Sequence, residues 1–203
     1  MKLFFQYCSY GFGNCYILGS EEQSKAAIIV DPGSMEKNTL DTIENNNFDL
    51  KAVLITHDHL SHVRGLRTLK RIYNAEVYAV NQTIMDIKTN MVKDGDFFNI
   101  EEFLIEVISI PGHSSDSVVY RIGNLLLTGD VLTAGLVGST ASAYGTTTQM
   151  NKLRSRLLSP PGDFFVLPGH GPPSTLEAER RFNADIFRYE ENRTKRPVFK
   201  VDV

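Results

Sequence analysis

Apolar runs that stop abruptly at a histidine constrain this chain more than any other feature. KAVLITH is apolar up to Ile55 and then breaks into THDHLSH, where His57, His59 and His62 fall within six residues. The other two histidines, His113 in PGHSSDS and His170 in LPGHGPP, also follow apolar runs. A short apolar run closed by turn residues predicts a strand buried on both faces. All five histidines of the chain therefore stand where predicted strands give way to loops. Sites in α/β proteins form at such strand ends.

The remaining pattern predicts how those strands are arranged. MKLFFQY and NCYIL read as two strands joined by the turn around Gly11 and Gly13. AAIIVDPGS is a buried strand ending in a turn, and Ser34 is the expected N-cap of a short helix that carries Leu40 and Ile43. DHLSHVRGLRTLKRIY places Val63, Leu66, Leu69 and Ile72 at helical spacing, and AEVYAV reads as a strand. IEEFLIEVISIP follows, then a hairpin of DSVVYRI and NLLLTGD around Gly123-Asn124. AGLVGSTASAYGTTT reads as a long loop, QMNKLRSRLL as a helix and DFFVLPGHG as a strand. STLEAERRFNADIFRYEEN reads as the last long helix, opened by a capping box of Ser174 and Glu177. The tail RTKRPVFKVDV reads as an edge strand or a loose end. This alternation predicts a layered α/β architecture, with residues 1–203 in one domain.

Composition narrows the functional classes. With 42% hydrophobic and 22% charged residues, the chain has the make-up of a globular protein. A net charge of −3 argues against nucleic-acid binding and gives no support to a basic membrane anchor. No apolar run is long enough to span a membrane. Polar residues from Gln6 onward interrupt any signal-peptide core, so a cytoplasmic protein is expected, with Cys8 and Cys15 as reduced, buried thiols in neighbouring strands. The partner expected is a small-molecule substrate.

Imidazole is the commonest biological metal ligand near neutral pH. His57 and His59 are two apart on an extended chain, so their side chains face the same way. His62 comes after a turn and can serve a second, adjacent ion. Asp130 ends the apolar run LLLTGD, and its carboxylate can bridge two cations. These donor types suit one or two transition-metal ions: zinc first, with iron or manganese as alternatives.

Taken in order, THDHLSH, PGHS, TGD and PGHG resemble the metallo-β-lactamase superfamily, and their spacing is similar to its small glyoxalase-II-like members. The resemblance runs from about Gly13 to Asn183 and includes VDPG and PGHGPPSTLEAERRFN. It implies a four-layer αββα sandwich with a mononuclear or dinuclear metal site at one edge. Carried over residue by residue, it implies that His57, His59 and His113 bind the first metal, that Asp130 bridges, and that His62 and His170 bind the second. Asp31 of VDPG is a candidate carboxylate partner for a histidine, as are Ser114 and Asp116 beside His113.

One position departs from the family pattern His-x-His-x-Asp-His: Ser61 stands where the aspartate is expected. The second site keeps three protein ligands but loses a carboxylate, so it should bind more weakly. Orientation of a metal-activated hydroxide then falls to Ser61 or to water, which makes Asp130 and Ser61 the candidate catalytic side chains. Arg64 and Tyr144 are candidate substrate contacts. Few residues follow His170, so neither the glutathione-binding helical domain of glyoxalase II nor hydroxyacylglutathione as natural substrate is expected. The reaction that fits best is hydrolysis of an ester-like bond, by family analogy a thioester. A mononuclear iron enzyme similar to the persulfide dioxygenases, using His57, His59, His113 and Asp130, is the second reading. A metal-binding or ligand-binding protein that has lost hydrolytic activity is the third.

Overall fold

Two six-stranded sheets form, and each draws its strands from one half of the chain. The computed structural model describes residues 1–194. The first half supplies β1 (Lys2–Tyr7), β2 (Asn14–Gly19), β3 (Ala26–Val30), β4 (Asp49–Leu54) and β5 (Glu76–Ala79). A small hairpin of β6 (Thr83–Ile84) and β7 (Ile87–Lys88) precedes β8 (Asn90–Met91). The sheet order is β1-β2-β3-β4-β5-β8. It is antiparallel from β1 to β3 and parallel from β3 to β8. The second half supplies β9 (Phe97–Ile100), β10 (Phe103–Ser109), β11 (Val118–Ile122) and β12 (Leu125–Gly129). A second small hairpin, β13 (Leu132–Thr133) and β14 (Leu136–Val137), is followed by β15 (Phe165–Pro168) and β16 (Ser174–Thr175). This sheet runs β16-β15-β12-β11-β10-β9.

Alternation along each strand explains the layers. Tyr16, Leu18, Ile28 and Val30 point between the sheets, where they meet Val107, Tyr120 and Leu127. Their neighbours Cys15, Ile17, Ala27 and Ile29 point to the opposite face. There they meet α1 (Lys37–Asn45), α2 (Leu60–Val63) and α3 (Leu66–Ile72), through Ile43, Val63, Leu66 and Leu69. The outer face of the second sheet is covered by α4 (Ala143–Leu153), α5 (Leu176–Phe182) and α6 (Ala184–Thr194), through Met150, Leu153, Leu176 and Ile186. The result is the expected helix–sheet–sheet–helix sandwich. Each fully buried Ile or Leu adds about 1.5–3 kcal/mol. No helix among the described residues is long and apolar enough to cross a membrane.

Several local expectations are corrected. The N-cap of α1 is Glu36, not Ser34; Ser34 instead donates its hydroxyl to Glu36 Oε1 at 2.8 Å. The single helix expected over residues 58–73 is two, α2 and α3, because Gly65 bends in to donate its N–H to Pro32 O at 2.8 Å. Any side chain at 65 would strike Pro32 O. The long loop expected over residues 134–148 contains the turn and second strand of the β13–β14 hairpin and the first turns of α4, capped by the Ser142 hydroxyl on Gly145 N. No capping box forms from Ser174 and Glu177: Thr175 caps Ala178 N, and Ser174 donates to Glu179. Asn183 divides the last helix into α5 and α6. Cys15 lies in β2 and Cys8 one residue beyond β1, both buried free thiols. The tail expectation falls on residues 195–203, outside the described residues.

Candidate metal centre

Every histidine arrives from the same end of the two sheets. His57 and His59 leave β4, and His62 follows within α2. His113 sits between β10 and β11, Asp130 directly follows β12, and His170 follows β15. His57 Nε2 lies 2.9 Å from His59 Nδ1, which lies 3.1 Å from His113 Nε2. Asp130 Oδ2 lies 3.8 Å from His57 Nε2 and 3.7 Å from His113 Nε2. A tetrahedron built on metal–ligand bonds of about 2.0–2.1 Å has edges of about 3.3 Å, so these four atoms can hold one ion. His62, Asp130 and His170 form a second group around the same carboxylate. There His62 Nε2 stands 3.4 Å from Asp130 Oδ2, and His170 Nδ1 stands 2.8 Å from Asp130 Oδ1.

The outer nitrogens explain why the inner ones converge. Thr56 Oγ1 donates to Asp31 Oδ2 at 2.6 Å, so its lone pair accepts from His57 Nδ1–H at 3.1 Å. His62 Nδ1–H donates to the same Asp31 oxygen at 3.0 Å. His113 Nδ1–H donates to Ser139 O at 2.8 Å, and His170 Nε2–H donates to Gly11 O at 3.0 Å. Four rings thus spend their N–H outward and turn a lone pair inward, the tautomer a metal needs. His62 Nε2 is buried with no hydrogen-bond partner. An unpaired buried acceptor is costly, and a bound cation would satisfy it. The residues therefore fit a metal.

Electrostatics agree. Burial, with charge on His62 adding, holds His57 down to about 3, so its lone pair is free at neutral pH. Burial and His113 lower His59. Burial opposes ionisation of Asp130, but His170 and His62 outweigh it and hold the carboxyl well below the usual range. Burial also opposes charge on His62, yet Asp31 and Asp130 raise it to about 10. The hydrogen bond with Asp130 raises His170. The carboxylates thus draw positive charge to the second group, where a proton and a metal compete for the same atoms.

The other expected residues fall at different distances from this centre. Asp31 is buried at φ +51°, and its oxygens accept from Thr56 N, Thr56 Oγ1 and His62 Nδ1. Asp116 accepts from Asp58 N at 2.9 Å and so steadies the turn that carries His57 and His59. The Ser114 hydroxyl pairs with Ser117 instead, at 2.6 Å. Ser61 lies in the first turn of α2, with its side chain against Gly11 of the β1–β2 loop. The Arg64 guanidinium stacks 4.1 Å above the Tyr10 ring of that loop. Tyr144 is 82% exposed on the first turn of α4. Sequence reasoning missed Thr56, the Gly11 carbonyl and Gln149. Gln149 is fully buried beside Gly112 and donates Nε2–H to Gly138 O at 2.9 Å.

A family model described as the metallo-beta-lactamase superfamily matches residues 9–182, a span that contains every histidine and both carboxylates of this centre. The chain belongs to that superfamily. Among its relatives in the superfamily is hydroxyacylglutathione hydrolase GloC of Haemophilus influenzae, 26% identical over 194 residues, covering 84% of this chain and 91% of the relative. BaeB of Bacillus velezensis, named as a probable polyketide biosynthesis zinc-dependent hydrolase, is 29% identical over 164 residues, covering 77% and 72%. The di-iron-bound form of TTHA1623 superposes with a TM-score of 0.74 at 25% identity, covering 89% of this chain and 98% of that one. Superfamily members typically bind one or two metal ions, and the two donor groups around Asp130 are where this member can do so.

Proposed function

We propose that this chain is a metal-dependent hydrolase of a thioester bond in a small-molecule substrate. The observation that carries the reading is one anionic carboxylate, Asp130, shared by two groups of inward-turned histidines. His57, His59, His113 and Asp130 would hold the tighter ion. His62, His170 and Asp130 would hold a weaker one, because Ser61 brings no second carboxylate. A bound ion of this kind lowers the pKa of its water from 15.7 to about 7 and polarises a carbonyl oxygen.

The chain's own residues set the stage for that chemistry. Asp31 holds His62 directly and His57 through Thr56, so one buried carboxylate fixes a tautomer in each group. Asp130 stays anionic and keeps the two groups joined. The names of GloC and BaeB, both hydrolases, support the reaction class. Zinc is the first choice of metal, and the di-iron form of TTHA1623 keeps iron as the alternative.

Elemental analysis of protein purified without chelators, run beside a panel of thioester and lactone substrates, tests the reading. Bound zinc or iron with thioester turnover that chelation abolishes and metal restores is the expected result. One equivalent of iron without hydrolysis would move the reading to oxygen and sulfur chemistry at the first group. No bound metal under metal-replete conditions would end both enzyme readings.

A further inference from the structure

Three of the four edges of the two six-stranded sheets are short: β8 and β16 have two residues each, and β9 has four. The fourth edge, β1, has six, and its register on β2 is unbroken from Lys2 to Tyr7. Natural edge strands are protected by charge, proline or a bulge. KLFFQY has no proline and no bulge, and its one charge, Lys2, stands at its start.

The outer side of β1 is built to pair. Cys8 N–H donates to Gly13 O at 2.9 Å. The register continues that rung, so Gln6, Phe4 and Lys2 turn N–H and C=O toward β2, and Leu3, Phe5 and Tyr7 turn theirs to the open side. The side chains divide in the same way. Gln6 bonds Thr42 of α1 and Phe4 packs on Phe48, on the helix face. Phe5 lies on the opposite face, 5.7 Å from the Tyr16 ring. No residue of β1 belongs to the core between the sheets, so Leu3, Phe5 and Tyr7 stand exposed. Phe12, 67% exposed, lengthens the apolar stripe by stacking on Tyr7.

We propose that β1 pairs antiparallel with β1 of a second copy of this chain, about a two-fold axis at Phe5, and so joins two six-stranded sheets into one. This is the one register in which Leu3, Phe5 and Tyr7 of each strand all face outward-turned residues of the other. Phe5 meets the partner's Phe5, and Leu3 meets the partner's Tyr7, apolar on apolar. On the helix face Phe4 meets the partner's Gln6, and Lys2 meets the partner's Cys8. The residue after Cys8 is Ser9, whose N–H and hydroxyl both donate to Glu36 Oε1, at 3.2 and 2.5 Å. Each Lys2 thus arrives beside the other copy's Glu36 carboxylate, and the two-fold axis repeats the ion pair. No like charges oppose one another across the strands.

Sedimentation of the metal-loaded chain over a range of concentrations, with any affinity tag at the C-terminus, tests the pairing. A monomer–dimer equilibrium is expected. Phe5→Pro removes only an N–H that points outward, so the ladder to β2 survives. It should raise the dimer Kd about 10–100-fold, the scale of the two backbone hydrogen bonds lost per dimer. Phe5→Lys keeps the N–H but sets two ammonium groups across the axis, and should weaken the dimer independently if the proline variant fails to fold. Added salt should weaken the parent dimer and strengthen that of Lys2→Glu, which sets like charges beside Glu36. Register is read by cross-linking with diamide. Phe5→Cys places two thiols on Cα atoms about 5.5 Å apart, within disulfide reach. Leu3→Cys leaves them about 14 Å apart, and should not cross-link. A chain that is monomeric at every concentration would overturn the proposal. So would a dimer that both Phe5 variants leave intact, or one that cross-links through position 3 as readily as through position 5.

Discussion

Asp31 shows how much a single residue can organise here. It tolerates φ +51° because a short polar side chain suits that region. From there it accepts three hydrogen bonds that reach both donor groups. Asp31→Asn keeps the backbone and the bond from Thr56 N. It also sets an amide NH₂ against donors from Thr56 and His62. Metal affinity should fall about 10–100-fold, read by competition with a chromogenic chelator, and unchanged affinity would refute the tautomer argument. Ser61→Asp should do the opposite at the second group, raising the metal retained per chain after dialysis. No gain in retained metal would show that the serine is not what weakens that group. The histidines and Asp130 were legible in the sequence because each punctuates an apolar run. Thr56 was not legible: a hydroxyl beside a histidine has no signature until the carboxylate that orients it is known.

Among the elements, the misread ones are those whose form depends on a distant partner. A continuous helical period from Val63 to Ile72 gives no warning of the break at Gly65. The break lets the Asp31–Pro32 turn approach α2 closely enough for Asp31 to reach His62. The start of α4 was hidden by Gly145 and three threonines, all weak helix formers. Its cap on Ser142 and the packing of Gln149, Met150 and Leu153 outweigh that propensity. The β1–β2 loop offers a direct test. Gly11 sits at φ +70°, and a Cβ there would fall 2.6 Å from that of Ser61. Gly11→Ala should cost roughly 1–3 kcal/mol in urea unfolding and disturb the carbonyl that receives His170 Nε2–H. If stability were unchanged, the loop would not be held against α2 as described.

At the scale of the molecule, the donor groups bridge the two sheets. His57, His59 and His62 belong to the first half of the chain, and His113, Asp130 and His170 to the second. A bound ion therefore stabilises the folded state and not the unfolded one. At free metal about 1,000 times the dissociation constant, that linkage is worth about 4 kcal/mol. Chelation should lower Tm and readdition should restore it. A Tm indifferent to chelator would mean that metal binding contributes little to cohesion between the halves. The layered architecture behind this was legible early, because strands buried on both faces announce themselves as unbroken apolar runs.

The clean partition of strands between halves has a practical corollary. Cleavage at the exposed Gly95 turn would yield two polypeptides, each with a whole sheet and neither with a complete set of donors. Such fragments should recombine in trans only when a transition metal is supplied. Fused to the parts of a reporter, they would make a genetically encoded sensor whose signal follows free metal.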